Sequence, residues 1–268
     1  MNNLIKRIVN LKHYINANPF SITHAKFGKL DTDVSDFFVF RLDGYETIFI
    51  AENNLALLVG LPIECGHTFH FFDSSGNPCG VFETHSQNFH YKFSINDKIT
   101  GGVKFGSFTH HVQYADEVIS QYEKLLTDIS FQHRGYTGFR KTLEGGFSYV
   151  HGNFGAMYVN RHQNTRSLAR LRGKYTYTPQ FIIKPRCSYD LIFSNPTSKN
   201  TCIKFLLTDD NSTKVLKEEC LDSHAVYKFT LNESSVKNDC NISWETNLPI
   251  GRCVVFEYSN KYFDVFHS

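Results

Sequence analysis

No apolar stretch in the chain approaches the roughly 20 residues that a membrane helix needs, so a spanning helix is not expected. Cys-x-x-Cys is absent, which takes support from zinc-ribbon and redox readings. The seven cysteines (65, 79, 187, 202, 220, 240 and 253) are scattered, and we expect free thiols, several of them packed as small hydrophobes. There is no Gly-x-x-x-x-Gly-Lys-Ser/Thr loop, no Gly-x-Gly-x-x-Gly and no Gly-x-Ser-x-Gly elbow. His-Glu-x-x-His and His-x-His are missing too, so no cofactor and no metal are expected. The first 20 residues interrupt their apolar positions with Lys6, Arg7, Asn10, Lys12 and His13, unlike a signal peptide. A soluble, cytoplasmic protein is the expectation, and the sequons at Asn211, Asn232 and Asn241 then carry no consequence.

One absence is local. From Gly145 to Tyr189 there is no acidic residue. Between Phe131 and Tyr189 lie ten basic residues against the single acid Glu144, a net +9, while the rest of the chain carries −7.

What the sequence does have is aromatic residues, 25 Phe and 14 Tyr, which favour pleated, half-buried surfaces. Period-2 runs broken by turns dominate from residue 37 onward. FFVFRL-DG-YETIFI reads as a hairpin, with Asp43-Gly44 supplying positive φ. Leu55–Leu61 reads as a strand, as does Val103–Tyr114. Gly135–Gly138 and Gly145-Gly146 read as turns of two further hairpins. CVVFEY-SNK-YFDVF closes the chain as another. Helical spacing occurs in residues 2–16 and again in 115–130, where Val118, Ile119, Tyr122, Leu125, Leu126 and Ile129 share one face. Asn164-Thr165 suggests a cap for a short helix over 166–172.

Two 27-residue stretches, Phe69–Ile95 and Phe205–Leu231, share a plan and end in Tyr-Lys-Phe-Ser-Ile and Tyr-Lys-Phe-Thr-Leu. Six identities in 27 suggest an internal duplication without establishing one. The fold class expected is mainly β, with two antiparallel β-sandwich-like halves, an N-terminal helix and a central amphipathic helix. The expected division is an N-terminal helix over 1–20, a first β domain over 21–114, a helix and basic connector over 115–174, and a second β domain over 175–268.

Function is expected at the basic segment. Seven of its ten basic residues are Arg, which grips carboxylate, phosphate or sulfate through paired hydrogen bonds. Arg134, Arg140, Arg161, Arg166, Arg170 and Arg172 are the candidate charges, and Tyr136, Phe139 and Tyr158 the candidate stacking surfaces. Such a segment suits a non-catalytic binding or assembly protein that recognises an acidic glycan, a nucleic acid or an acidic protein surface. The rival is an enzyme for a small acidic substrate, with His133 or His151 as acid–base in a cleft between the halves. A structural subunit of a homo-oligomer, its arginines consumed by partner carboxylates, is the third expectation. His67 and His70 fall on opposite faces of one strand and so do not suit one metal ion.

Overall fold

The computed structural model describes residues 33–122, 135–141, 145–159, 165–167, 174–197, 199–208, 212–235, 238–248, 251–259 and 262–268, with backbone alone over 33–35, 153–159 and 165–167. The expected N-terminal helix lies outside them.

The chain is mainly β, arranged as four antiparallel sheets. Strands β1 (Asp33–Arg41), β3 (Cys65–Asp73), β4 (Pro78–Ser86), β6 (Phe105–Gln113), β9 (Asn153–Val159) and β10 (Thr165–Ser167) form a six-stranded sheet in the order β10-β9-β1-β6-β3-β4. Strands β2 (Glu46–Glu52), β5 (His90–Ile95), β7 (Gly135–Arg140) and β8 (Ser148–His151) form the sheet β5-β2-β7-β8. The remaining strands are β11 (Tyr175–Tyr177), β12 (Ser188–Ser194), β13 (Thr201–Thr208), β14 (Thr213–Leu221), β15 (Val226–Leu231), β16 (Asn241–Thr246), β17 (Val254–Tyr258) and β18 (Phe263–His267). They make the sheets β11-β16-β13-β14 and β15-β12-β17-β18. The strand order β1-β6-β3-β4 with β5-β2-β7-β8 therefore recurs, every label raised by ten.

Three cores separate the sheets. Phe38, Phe40, Phe69, Phe71 and Phe108 of the six-stranded sheet meet Phe49, Ala51 and Ile95 of β5-β2-β7-β8. Leu191, Phe193 and Val255 meet Ile203, Phe205 and Trp244 in the second half. Between the halves, Phe37, Val39 and Phe72 meet Ile192, Val226, Val254, Phe256 and Val265, with Phe139 and Val150 joining from β7 and β8. Strands with cover on both faces are buried almost throughout; β12, although it carries Ser188, Asp190 and Ser194, is half-buried at its first residue and buried at the other six. The outer sheets keep one wet face and alternate, as in β5 and the first six residues of β13.

Several local expectations are corrected. The segment around Asp43-Gly44 is an arch between sheets, not a hairpin: β1 pairs with β6 and β9, whereas β2 pairs with β5 and β7. The Thr47 hydroxyl accepts from Arg41 N–H at 3.2 Å and donates to Arg41 C=O, occupying the groups a hairpin ladder would use. Gly44 still turns the chain with φ 80°. The third expected strand is instead a six-residue helix, α1 (Asn54–Val59). Asn53 Oδ1 caps its Ala56 N–H at 3.2 Å, and Gly60 ends it in the left-handed conformation. Of the helix expected over 115–130, the described part is α2 (Asp116–Gln121); 123–130 lie outside the described residues. Gly135 and Gly138 sit within β7 rather than in a turn, and Thr165 opens a strand rather than a helix. Residues 115–174, expected as a connector, supply β7–β10 to the first two sheets.

The cysteines are also corrected in part: Cys202 and Cys220 form a disulfide, while Cys65, Cys79, Cys187, Cys240 and Cys253 are free. Among the described residues no helix is long and apolar enough to cross a membrane.

Candidate functional site

The expected site residues do not converge as a set. His133, Arg134, Arg161, Arg170 and Arg172 lie outside the described residues. Tyr158 and Arg166 stand opposite each other in register across β9 and β10, at the edge of the six-stranded sheet. Phe139 is a core residue, 0% exposed, its ring 4.8 Å from that of Phe256, so it is withdrawn as a ligand contact. The period of two explains this: Phe139 faces inward with Thr137, while Tyr136 and Arg140 face outward.

Tyr136 and Arg140 do share a surface, the outer face of β5-β2-β7-β8. Tyr136 is 43% exposed, and Tyr149, diagonal to it on β8, is 44% exposed. Tyr149 stands opposite Gly138, and a Cβ there would lie 2.7 Å from the Tyr149 ring, so the glycine is what lets that ring lie across β7. Phe147 precedes β8, its ring 6.0 Å from Tyr149. The Arg140 guanidinium lies 4.6 Å from the Phe147 ring centre and the Lys92 ammonium 5.5 Å from it. Opposite Arg140 in register, Glu46 accepts its Nε–H at 3.0 Å and a second bond from Nη2. The face thus presents three aromatic surfaces, two cations and a carboxylate. Of this face, sequence reasoning singled out Tyr136 and Arg140; Phe147 and Tyr149 belong to the aromatics interleaved with the basic segment but were not chosen as stacking surfaces, and Lys92 lies outside that segment. The register of β2 with both β5 and β7 unites them, and that pairing spans long sequence separations.

Other basic residues of the segment have acidic neighbours: Lys174 pairs with Glu245 at 2.6 Å, and Lys184 comes within 3.9 Å of Glu257. Lys141 lies over the Tyr258 ring at 4.8 Å.

His151 projects from the end of β8. Its ring centre is 4.3 Å from that of His267, whose Nε2–H donates to His151 C=O at 2.6 Å. Burial first, then the charge of His151, lowers the His267 pKa to about 4. His267 pins β8 to β18 here, with Ser148 donating to Asp264 at 2.9 Å.

Two buried polar groups complete the survey. Cys65 Sγ lies 3.4 Å from His67 Nε2, and His67 Nδ1 lies 3.0 Å from His110 Nε2. The row has the order of a nucleophile relay, but Cys65 is buried and its pKa is pushed up to about 12, by desolvation and then by Glu64. Its thiol stays protonated and out of reach of substrate. Between the halves, buried Arg41 donates to Asp190 at 2.6 Å and to Tyr258 OH at 2.9 Å; Thr230 donates to Asp190 at 2.6 Å, and Tyr45 to Tyr258 at 2.7 Å. The Arg41–Asp190 pair at its centre is buried, so the cluster is a fastener between the halves. Among the described residues no group of three or more His, Cys, Asp or Glu is placed to hold a metal ion.

No family model matches the sequence, and no curated protein matches it. A solved structure of a β-glucuronidase from glycoside hydrolase family 2 is similar at 12% identity and a TM-score of 0.15, covering 91% of this chain and 26% of that one. A likeness at that level carries neither fold nor function.

Proposed function

We propose that the protein is a non-catalytic binding protein for an anionic ligand, and that the outer face of β5-β2-β7-β8 is its binding surface. The observation that carries this is the pair of exposed rings, Tyr136 and Tyr149, beside Phe147 with Lys92 and Arg140 set over it. Large exposed aromatic surfaces held by rigid strands are expensive to leave in water and suit recognition of flat ligand faces. Because Glu46 offsets Arg140, the face suits a sparsely charged ligand better than a polyphosphate. An acidic glycan fits best: sugar C–H groups pack on the negative faces of the rings, while Lys92 and Arg140 take the carboxylate or sulfate. A nucleic acid or an acidic protein surface would use the same groups but would draw on more positive charge.

The proposal includes the scaffold. Each half is a sandwich, of a six- and a four-stranded sheet in the first and of two four-stranded sheets in the second, and the halves arose by duplication, which the repeated strand order supports. The cytoplasmic setting and assembly into a homo-oligomer are carried forward as part of the same proposal.

The test is calorimetric titration with heparin-derived and hyaluronan oligosaccharides and with single-stranded oligonucleotides. Tyr149→Ala should weaken glycan binding by about 10-fold or more, the size of one lost stacking contact of about 1–3 kcal/mol. Glycan binding that survives loss of both tyrosines would reject the face.

A further inference from the structure

The disulfide Cys202–Cys220 joins two residues that already stand opposite each other in the β13–β14 register, with Cα atoms 4.1 Å apart. It ties no separate elements together, because pairing from Thr201↔Leu221 to Thr208↔Thr213 already closes this hairpin. It faces outward: Ile203 and Phe205, on the other face of β13, are the core residues. Cys220 is exposed and β14 is an edge strand, so an incoming thiol meets no covering strand. Beside Cys202 opens a cavity of about 270 Å³ lined also by Lys174, Lys204, Glu218 and Glu245. Lys204, two residues after Cys202, shares its face. Three of the free thiols, Cys65, Cys240 and Cys253, are buried; burial holds the Cys253 pKa well above the ordinary thiol range.

We propose that Cys202–Cys220 is a thiol–disulfide exchange site whose substrate is a reducing dithiol protein. A thiolate of that protein attacks Cys220 Sγ, the exposed sulfur. The Cys202–Cys220 bond breaks, a mixed disulfide forms, and Cys202 leaves as a thiolate beside Lys204. The second thiol of the partner then displaces Cys220. The chain gains two electrons and two protons, and the partner leaves as its own disulfide. In a cytoplasmic setting a surface disulfide of this kind is transient and exchanging rather than a permanent staple.

The experiment uses the folded full chain with reduced thioredoxin, followed by alkylation and peptide mass analysis. The expected result is labelling of Cys202 and Cys220 with unchanged circular dichroism, while Cys65, Cys240 and Cys253 stay unlabelled. A thioredoxin whose resolving cysteine is serine should be trapped on Cys220. Lys204→Glu should slow exchange about 3-fold, as expected when the leaving thiol's pKa rises by about one unit. Reduction that begins only at denaturant concentrations that unfold the chain would overturn the proposal, as would trapping on Cys202 alone.

Discussion

Asp190 shows how a single residue can hold two halves of a molecule together. Burial pulls its pKa upward, but bonds from Thr230, Arg41 and Tyr258 and the charge of Arg41 more than offset this, so it lies below the ordinary carboxylate range. Its contribution to stability is therefore complete above the unfolded value near 3.9 and is lost as pH falls through the lower folded value. Asp190→Asn leaves the buried Arg41 guanidinium with only the half-exposed Asp43 carboxylate, 3.0 Å from its Nε, and should cost about 3 kcal/mol in urea unfolding at neutral pH, the low end for breaking a buried pair. Arg41→Met combined with Asp190→Leu should recover most of that loss, since an apolar pair replaces both charges. The histidines act in the opposite chemical sense. Burial lowers the pKa of His224, and chiefly burial that of His267, to about 4. The unfolded chain takes up protons below the ordinary value near 6.5 and the folded chain only near 4, so stability is lost progressively between those values. His224→Phe should flatten that part of the stability–pH curve by roughly 2 kcal/mol at pH 5. At this scale Phe139 marks what the sequence conceals. RGYTGFRK announces aromatics and cations, but only the strand's phase decides that Tyr136 is wet and Phe139 dry.

Elements were legible where one local rule governs them. The β17–β18 hairpin, the strand β6 and the opposite orientation of His67 and His70 follow from alternation alone. The arch between β1 and β2 was not legible, because Asp-Gly marks a reversal and says nothing about which strands then pair; the Thr47 hydroxyl decides that. Helix α1 hid inside an apolar run that is bracketed by Asn53 and Gly60. In the β3–β4 turn, Gly76 has φ 87°, and a Cβ there would lie 2.0 Å from the Ser223 carbonyl in the β14–β15 turn. The neighbouring Ser74 C=O accepts from Val226 N–H at 3.0 Å, so this turn is a joint between the halves. Gly76→Ala should lower stability by about 2 kcal/mol or more, read as a fall in the urea midpoint, because both the backbone angle and the space are lost. Gly138→Ala should behave differently. Its Cβ meets side chains rather than backbone, the Tyr149 ring at 2.7 Å and the buried Ile48 at 2.9 Å, so ligand affinity should fall together with stability, the latter by about 1–3 kcal/mol.

At the scale of the whole molecule, alternation reported a mainly β protein but not how its sheets meet. The nearly continuous burial of β3 and β12 is the trace of that contact, and their sequences conceal it, since His67, Thr68, His70 and Asp190 interrupt the apolar residues. The shared core of Phe37, Val39, Phe72, Ile192, Val254 and Phe256 should make unfolding one cooperative transition in calorimetry. Residues 174–268 expressed alone should expose Ile192, Val226, Val254, Phe256 and Val265 and aggregate. The binding face is the other side of the sheet that sends Phe139 and Val150 into this joint. Its central claim is most directly tested by titrating an acidic oligosaccharide into the wild-type chain and into Tyr136→Ala/Tyr149→Ala over a range of salt. The account predicts wild-type binding with a shallow slope of about −1 to −2 in log affinity against log salt, as one or two paired charges give, and its loss in the variant. Equal affinity in both chains, or no binding by the wild type at low salt, would contradict it.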